Sequence, residues 1–165
     1  RNKVLMSLLI YQGLQPRELA SLRTTDLNLT EGTIYIQSQS GTNSRTLSLK
    51  PNQILLFQHY QKNIRKQLLN GSTSEQLLIG MRGTPLVTHD IIKQVIRCYK
   101  GLFHPRKVNC KTIRGSVITN LLKAGNGLRI VQVFAGHKKA GSTEKYQQSQ
   151  VTALHNMIQL QHPMK

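Results

Sequence analysis

Residues 111–146 read KTIRGSVITNLLKAGNGLRIVQVFAGHKKAGSTEKY. Apolar residues at three-to-four-residue spacing predict a helix that starts at Asn109 or Thr112 and runs through Leu122. The turn Gly125-Asn126-Gly127 breaks it, and a second short helix is predicted from Leu128 to Phe134, ending near Gly136. Around these helices stand three side chains of distinct chemistry: Arg114, then His137, then Tyr146 nine residues after the histidine.

Upstream, the pattern alternates between the two periodicities. Val4, Leu5, Leu8, Leu9 and Leu14 mark the buried face of an opening helix that Gly13 stops. Pro16 suits the first position of a second helix, with Glu18 at its positive end and Leu19 and Leu22 on its apolar side. Asp26 to Gly32 reads as a turn. Ile34 and Ile36, then Leu47 and Leu49, alternate with polar neighbours on either side of the polar run 38–44, which predicts a β-hairpin with a long loop. Pro51 opens a helix to about Leu69, with Ile54, Leu55, Phe57, Ile64 and Leu68 inward. Leu77 to Ile79 reads as a short strand, and Thr88 to Asp90 caps a helix whose inner face includes Ile91, Ile92, Val95, Ile96 and Tyr99. A last amphipathic helix is expected at about 151–160. The expected fold class is mainly α with a small antiparallel β-sheet, in one domain over residues 1–165.

Charge narrows the partner. The 165 residues carry 23 Lys+Arg against 6 Asp+Glu, a formal net charge of +17. Twelve of the basic residues fall between Lys93 and Lys145, where Glu144 is the single acid. Interleaved with apolar residues, these charges belong to folded elements that present a basic surface. Such an excess points to a polyanion, since each cation that neutralises a phosphate releases condensed counterions. The longest apolar region, residues 4–11, is too short to span a bilayer, so no membrane role is expected. Cys98 and Cys110 form no CxxC pair, which suits a reducing, cytoplasmic setting. Six acids are too few for a two-metal nuclease, and there is no phosphate-binding Gly-rich loop and no HExxH helix.

The constellation of Arg114 in KTIR, His137 in AGH and Tyr146 in STEKY resembles the catalytic domain of the tyrosine recombinases, the phage-integrase family. The similarity extends upstream through YQGLQPRELASL, as the opening helix pair, and GTIYIQSQSGTNSRTLSL, as the hairpin and following loop. It implies the DNA breaking-rejoining catalytic-domain fold, action on double-stranded DNA without metal or other cofactor, and site-specific recombination or integration through a 3′-phosphotyrosyl intermediate. It further implies a core-binding domain upstream of this chain, a homo-oligomer, specifically a tetramer, on DNA, exchange of the tail helix between protomers, and a location in the bacterial cytoplasm at the nucleoid.

The chemistry fits these residue types. A phenol attacks a phosphodiester when its proton is removed, the pentacoordinate transition state is held by fixed cations, and the leaving 5′-oxygen is protonated. Tyr146 is the candidate nucleophile and Arg114 the planar, permanently charged phosphate clamp. His137 either hydrogen-bonds the phosphate or assists proton transfer at the nucleophile. Lys111 stands where the resemblance implies a histidine, and can contact phosphate or donate the proton. Two positions depart from the pattern. Gln15 stands where an arginine is implied, with Arg17 two residues on as the candidate substitute, and Ser40 stands where the hairpin lysine is implied. Arg45, Arg106, Lys107, Lys138 and Lys139 are candidate DNA contacts. Two readings remain: a recombinase that rebuilt its cation cage, and a DNA-binding module derived from one that no longer cuts.

Overall fold

The computed structural model describes residues 1–80, 83–84, 93, 96–105 and 108–148. Helix α1 (Asn2–Tyr11) buries Val4, Leu5, Leu8 and Leu9 as the spacing predicts, and the chain leaves it through Gly13 at φ +60°. Helix α2 (Pro16–Ser21) has its proline at the first turn, and the Glu18 carboxylate turns back to accept the Gln15 backbone N–H at 2.8 Å. The chain then forms a sheet in the order β1-β2-β3, from β1 (Leu27–Asn28), β2 (Thr33–Ile36) and β3 (Arg45–Ser48), all antiparallel. The hairpin pairs Ile34 with Leu47 and Ile36 with Arg45, so the alternation read from the sequence places Ile34, Ile36 and Leu47 on the buried face. The segment read as a turn before Gly32 contributes the extra strand β1, too short to show a period of its own.

Helix α3 (Pro51–His59) continues through a π-helical turn at Tyr60–Ile64 into α4 (Arg65–Leu69). Its register differs from the sequence reading at Leu55, which is 68% exposed, while Phe57 and Tyr60 are buried. The Gln53 and Gln12 amides exchange hydrogen bonds at 2.9 and 3.0 Å in the interior and join α3 to α1. Leu77, Leu78 and Ile79 are almost wholly buried but form no run of strand. The Leu77 N–H bonds to the Leu22 carbonyl, and the Tyr60 hydroxyl donates to the Leu77 carbonyl at 3.0 Å and accepts the Ile79 N–H at 3.1 Å. An apolar run of three looks alike as a strand or as a core plug, and here the Leu22 carbonyl and the Tyr60 hydroxyl take up the Leu77 N–H and carbonyl and the Ile79 N–H.

Ile96 is buried and Tyr99 half-buried, as predicted, while the expected cap 88–90 and Ile91, Ile92 and Val95 lie outside the described residues, as does the expected tail helix 151–160. Helix α5 (Cys110–Lys123) starts where Asn109 caps it, its side-chain oxygen accepting the Thr112 N–H at 2.9 Å. Helix α6 (Leu128–Ala135) follows the glycine break and ends at Gly136 in the left-handed conformation, φ +70°. Residues 141–148 form α7. Helix α5 packs on α1 and α6, and α6 packs on β3, so the chain from 110 to 148 closes over the first half of the molecule. Among the described residues no helix is long and apolar enough to cross a membrane.

Candidate active site

Residues of α2, α5 and α7, with Lys93, Ile96, Arg97 and Lys100, line a cavity of about 770 Å³. Arg114, His137 and Tyr146 line it, together with Gln15, Pro16, Lys111 and the cations Lys93, Arg97 and Lys100. No carboxylate lies among these lining residues, so the lining is positive and includes a phenol.

Arg114 projects from the buried face of α5. Its Nη1 donates to the Gly13 carbonyl at 2.7 Å and its Nη2 to the Ala135 carbonyl at 2.5 Å, so the guanidinium is braced between the turn after α1 and the end of α6. Behind it sits Glu18, completely buried, with its carboxylate 3.8 Å from Arg114 and 2.7 Å from Arg45. Burial alone would raise the Glu18 carboxyl. The Arg45 hydrogen bond and charge, the Gln15 N–H and the Arg114 charge outweigh it and hold the group below its ordinary value. Glu18 thus remains an anion that fixes two guanidinium groups in place.

That arrangement corrects the expectation for Arg45 as a DNA contact. Its side chain is 3% exposed, and its donors are spent on Glu18, on the Phe134 carbonyl at 2.7 Å and on the Asn43 carbonyl. Arg45 is a strut between the hairpin and the C-terminus of α6. Arg17 is corrected too: it is exposed and does not line the cavity, whereas Gln15 does. Two residues along a helix turn a side chain by about 200°, and the helix starts at Pro16 without a shift that would undo this.

His137 follows the left-handed Gly136. Its N–H bonds to the Gln132 carbonyl at 3.0 Å, Gln132 Nε2 bonds to its carbonyl at 3.1 Å, and its backbone forms an antiparallel bridge with Thr42 of the hairpin loop. His137 is 9% exposed, its Nδ1 lies 2.8 Å from the buried Thr143 hydroxyl, and its ring plane stacks within 7° of the Tyr146 ring at 6.4 Å between centroids. Burial, then the charges of Arg114 and Arg45, push its pKa from 6.5 down to about 4, so the ring is neutral at physiological pH. Tyr146, half-buried on α7, packs against Gly115, where an added Cβ would stand 3.3 Å from the tyrosine Cε1. The glycine after Arg114 is the space the phenol ring uses.

Lys111 lies one turn before Arg114, exposed on the cavity wall. Lys138 and Lys139 are exposed beside the site, with Lys138 Nζ 3.3 Å from the Ser40 carbonyl. Arg106 and Lys107 lie outside the described residues. Sequence reasoning named Lys93, Arg97 and Lys100 only as part of a charge count. Their spacing of four and three residues, one helical face, was the available signal.

The sequence model of the phage integrase family matches residues 1–152. This chain belongs to the phage integrase family. Among curated relatives of this integrase-family chain, the tyrosine recombinase XerD of Staphylococcus haemolyticus is 28% identical over 163 residues, covering 99% of this chain and 55% of the relative. The XerD of Pseudomonas putida is 25% identical over 163 residues, covering 99% and 54%. The integrase-family chain therefore spans about half the length of the curated relatives it matches. Among solved structures, a XerA recombinase superposes with a TM-score of 0.78 at 23% identity, over 98% of this chain and 58% of that one. XerH bound to palindromic difH substrate, a post-cleavage complex, gives 0.75 at 25% identity, over 95% and 44%. The mainly helical fold with its small antiparallel sheet is that of the tyrosine recombinase catalytic domain.

Proposed function

We propose that this chain is the catalytic part of a site-specific recombinase that cleaves and rejoins double-stranded DNA. The observation that carries the reading is the convergence of Arg114, His137 and Tyr146 on one cation-walled cavity. Tyr146 Oη attacks the scissile phosphorus as its proton passes to water, the new bond being a 3′-phosphotyrosyl ester, while the bond to the 5′-oxygen breaks. Arg114, braced by two carbonyls and backed by Glu18, offers a preorganised charge to the non-bridging oxygens, a kind of interaction worth about 2.7 to 4 kcal/mol of barrier. Lys111 donates the proton that the leaving 5′-oxygen requires, since it is a cavity lysine on the same helix as the clamp. The step needs no metal, because cations fixed in the protein perform the neutralisation.

Lys93, Arg97 and Lys100 take over the neutralising charge that Gln15 lacks, and with Lys138 and Lys139 hold the DNA backbone. The same reading gives the full protein a core-binding domain ahead of residue 1, a homotetramer on DNA with tail exchange through 151–160, and a cytoplasmic, nucleoid-bound location. A second reading, a DNA-binding module that no longer cuts, is favoured by one observation: Gln15 lines the cavity where an arginine is implied, and Arg17 does not.

Covalent trapping separates the two. The full-length protein is incubated with a nicked suicide substrate from the flanks of its own gene, beside Tyr146→Phe, and resolved under denaturing conditions. A protein–DNA adduct absent from the variant is the expected result. Binding of both proteins without an adduct, across several sites, would establish the non-cutting module instead.

A further inference from the structure

His137 lines the cavity with one ring nitrogen held inside the fold. Nδ1 is taken by the Thr143 hydroxyl at 2.8 Å, and Thr143 is completely buried. The nitrogen left to face the cavity that His137 lines is Nε2. A buried hydroxyl must place its proton on an acceptor, and among the described residues the Thr143 hydroxyl has Nδ1 as its one hydrogen-bond partner, while the same residue's N–H bonds to the Ala140 carbonyl at 2.8 Å.

We propose that Thr143 is a positioning residue: its hydroxyl donates to Nδ1 and fixes His137 as the tautomer that carries its proton on Nε2, aimed at the phosphate. This inference rests on the recombinase reading for its consequence and on local geometry for its tautomer. The imidazole has Arg114 and Arg45 on one side, Glu18 behind them, and Tyr146 stacked on its face. Among these cations the ring is neutral, and a neutral ring must have one donor and one acceptor nitrogen. An acceptor Nε2 would point a lone pair at an anionic phosphate oxygen, whereas a donor Nε2 adds a hydrogen bond to it. The tautomer held by Thr143 therefore makes His137 a phosphate donor and leaves no base at Nε2 for the Tyr146 proton. It decides between the two roles the residue type allows.

The arrangement also couples two events. Thr143 and Tyr146 lie three residues apart on α7, on one face of that helix. Docking of α7 thus delivers the phenol and the group that orients the histidine together. A protomer whose α7 is displaced loses the nucleophile and the oriented donor in one movement.

The test has two arms on this chain and its full-length protein. The first is ¹⁵N spectroscopy of the imidazoles at neutral pH, with His137 assigned from the His137→Gln spectrum. The wild type and Thr143→Ser should show His137 protonated on Nε2 alone, and Thr143→Val should show a mixture of tautomers. A proton on Nδ1 in the wild type, or an unchanged single tautomer in Thr143→Val, overturns the proposal. The second arm measures the rate of adduct formation on the nicked suicide substrate. Thr143→Val should slow it about tenfold or more at unchanged DNA affinity, and Thr143→Ser should restore it. On a His137→Gln background Thr143→Val should cost nothing further, whereas additive losses would mean that Thr143 acts elsewhere. Absence of any adduct from the wild type would count against the recombinase reading, while the first arm would still decide the tautomer.

Discussion

The Glu18 carboxylate and the Arg45 guanidinium meet at 2.7 Å with side chains 0% and 3% exposed, and the same carboxylate lies 3.8 Å from Arg114. One anion serves two buried cations, one a strut of the fold and the other the proposed phosphate clamp. Removing it leaves two guanidinium groups with uncompensated charge in the interior. Glu18→Ala should therefore cost about 3 to 5 kcal/mol, read as a fall in the urea midpoint. Glu18→Gln keeps the shape and should cost less, and it should also flatten the acid limb of the stability curve. The sign follows from the lowered carboxyl: its stabilisation is present above the ordinary value of 4.5 and is lost as pH falls through the folded value. An acid limb unchanged in Glu18→Gln would show that the carboxylate does not hold its charge in the fold.

His137 gives a second window at higher pH. Its folded pKa of about 4 lies below the ordinary 6.5, so the unfolded chain binds a proton that the folded chain refuses. Stability is fully present above pH 6.5 and falls as pH drops from 6.5 to about 4. The full swing is up to about 3 kcal/mol, at 1.36 kcal/mol per pKa unit. Urea midpoints measured across that range for wild type and His137→Gln should diverge: the wild type declines and the variant stays flatter. Parallel curves would assign the decline to other groups.

These two groups also show which parts of the molecule were legible in the sequence. Periodicity and turn residues located α1, the hairpin, α5 and α6, since each has a full buried face or a glycine or proline at its end. It misread Leu77 to Ile79, where three apolar residues carry no period, and Leu55, where the apolar side of α3 is wider than the face it buries. Arg114, His137 and Tyr146, which line one cavity, could be singled out as candidates because their residue types and order are distinctive. Arg45 was misassigned for the opposite reason: a basic residue's partner is set by contacts far along the chain, here Glu18 and Phe134, which no local pattern encodes. Thr143 went unnoticed for a different reason: its partner His137 is only six residues away, but the turn between them, which brings hydroxyl and imidazole together, carries no periodic pattern.

Gly136 is a position where only glycine fits. Its φ of +70° is left-handed, and a Cβ there would stand 2.5 Å from Arg45 Nη1 and 3.0 Å from the Asn43 carbonyl oxygen. Arg45 cannot swing away without leaving Glu18, and the Asn43 carbonyl is backbone. The same turn bonds its carbonyl to the Asn43 N–H at 2.8 Å and leads directly into His137. Gly136→Ala should cost about 2 kcal/mol or more from backbone strain and this clash, read by thermal or urea unfolding. Gly141→Ala is the control: its nearest neighbour is the flexible end of Glu144 at 3.8 Å, so it should be close to neutral. Equal losses at the two glycines would mean that the clash with the Arg45 strut relaxes without cost.

Lys93, Arg97 and Lys100 line the same cavity as Gln15, and their proposed role makes a quantitative claim about salt. A cation that neutralises a DNA phosphate displaces counterions, and log affinity then falls with log salt at a slope near −0.9 for each phosphate. Changing one such residue to Gln should weaken DNA binding across all sequences and make the slope shallower by about 0.9, because a phosphate contact carries no base information. Lys123→Gln, on the last turn of α5 and absent from the cavity lining, serves as the reference. Fluorescence anisotropy from about 50 to about 200 mM salt measures both quantities. If the three cavity variants keep the wild-type slope while Lys123→Gln changes it, DNA follows another face of the molecule, and these cavity cations do not replace the missing arginine.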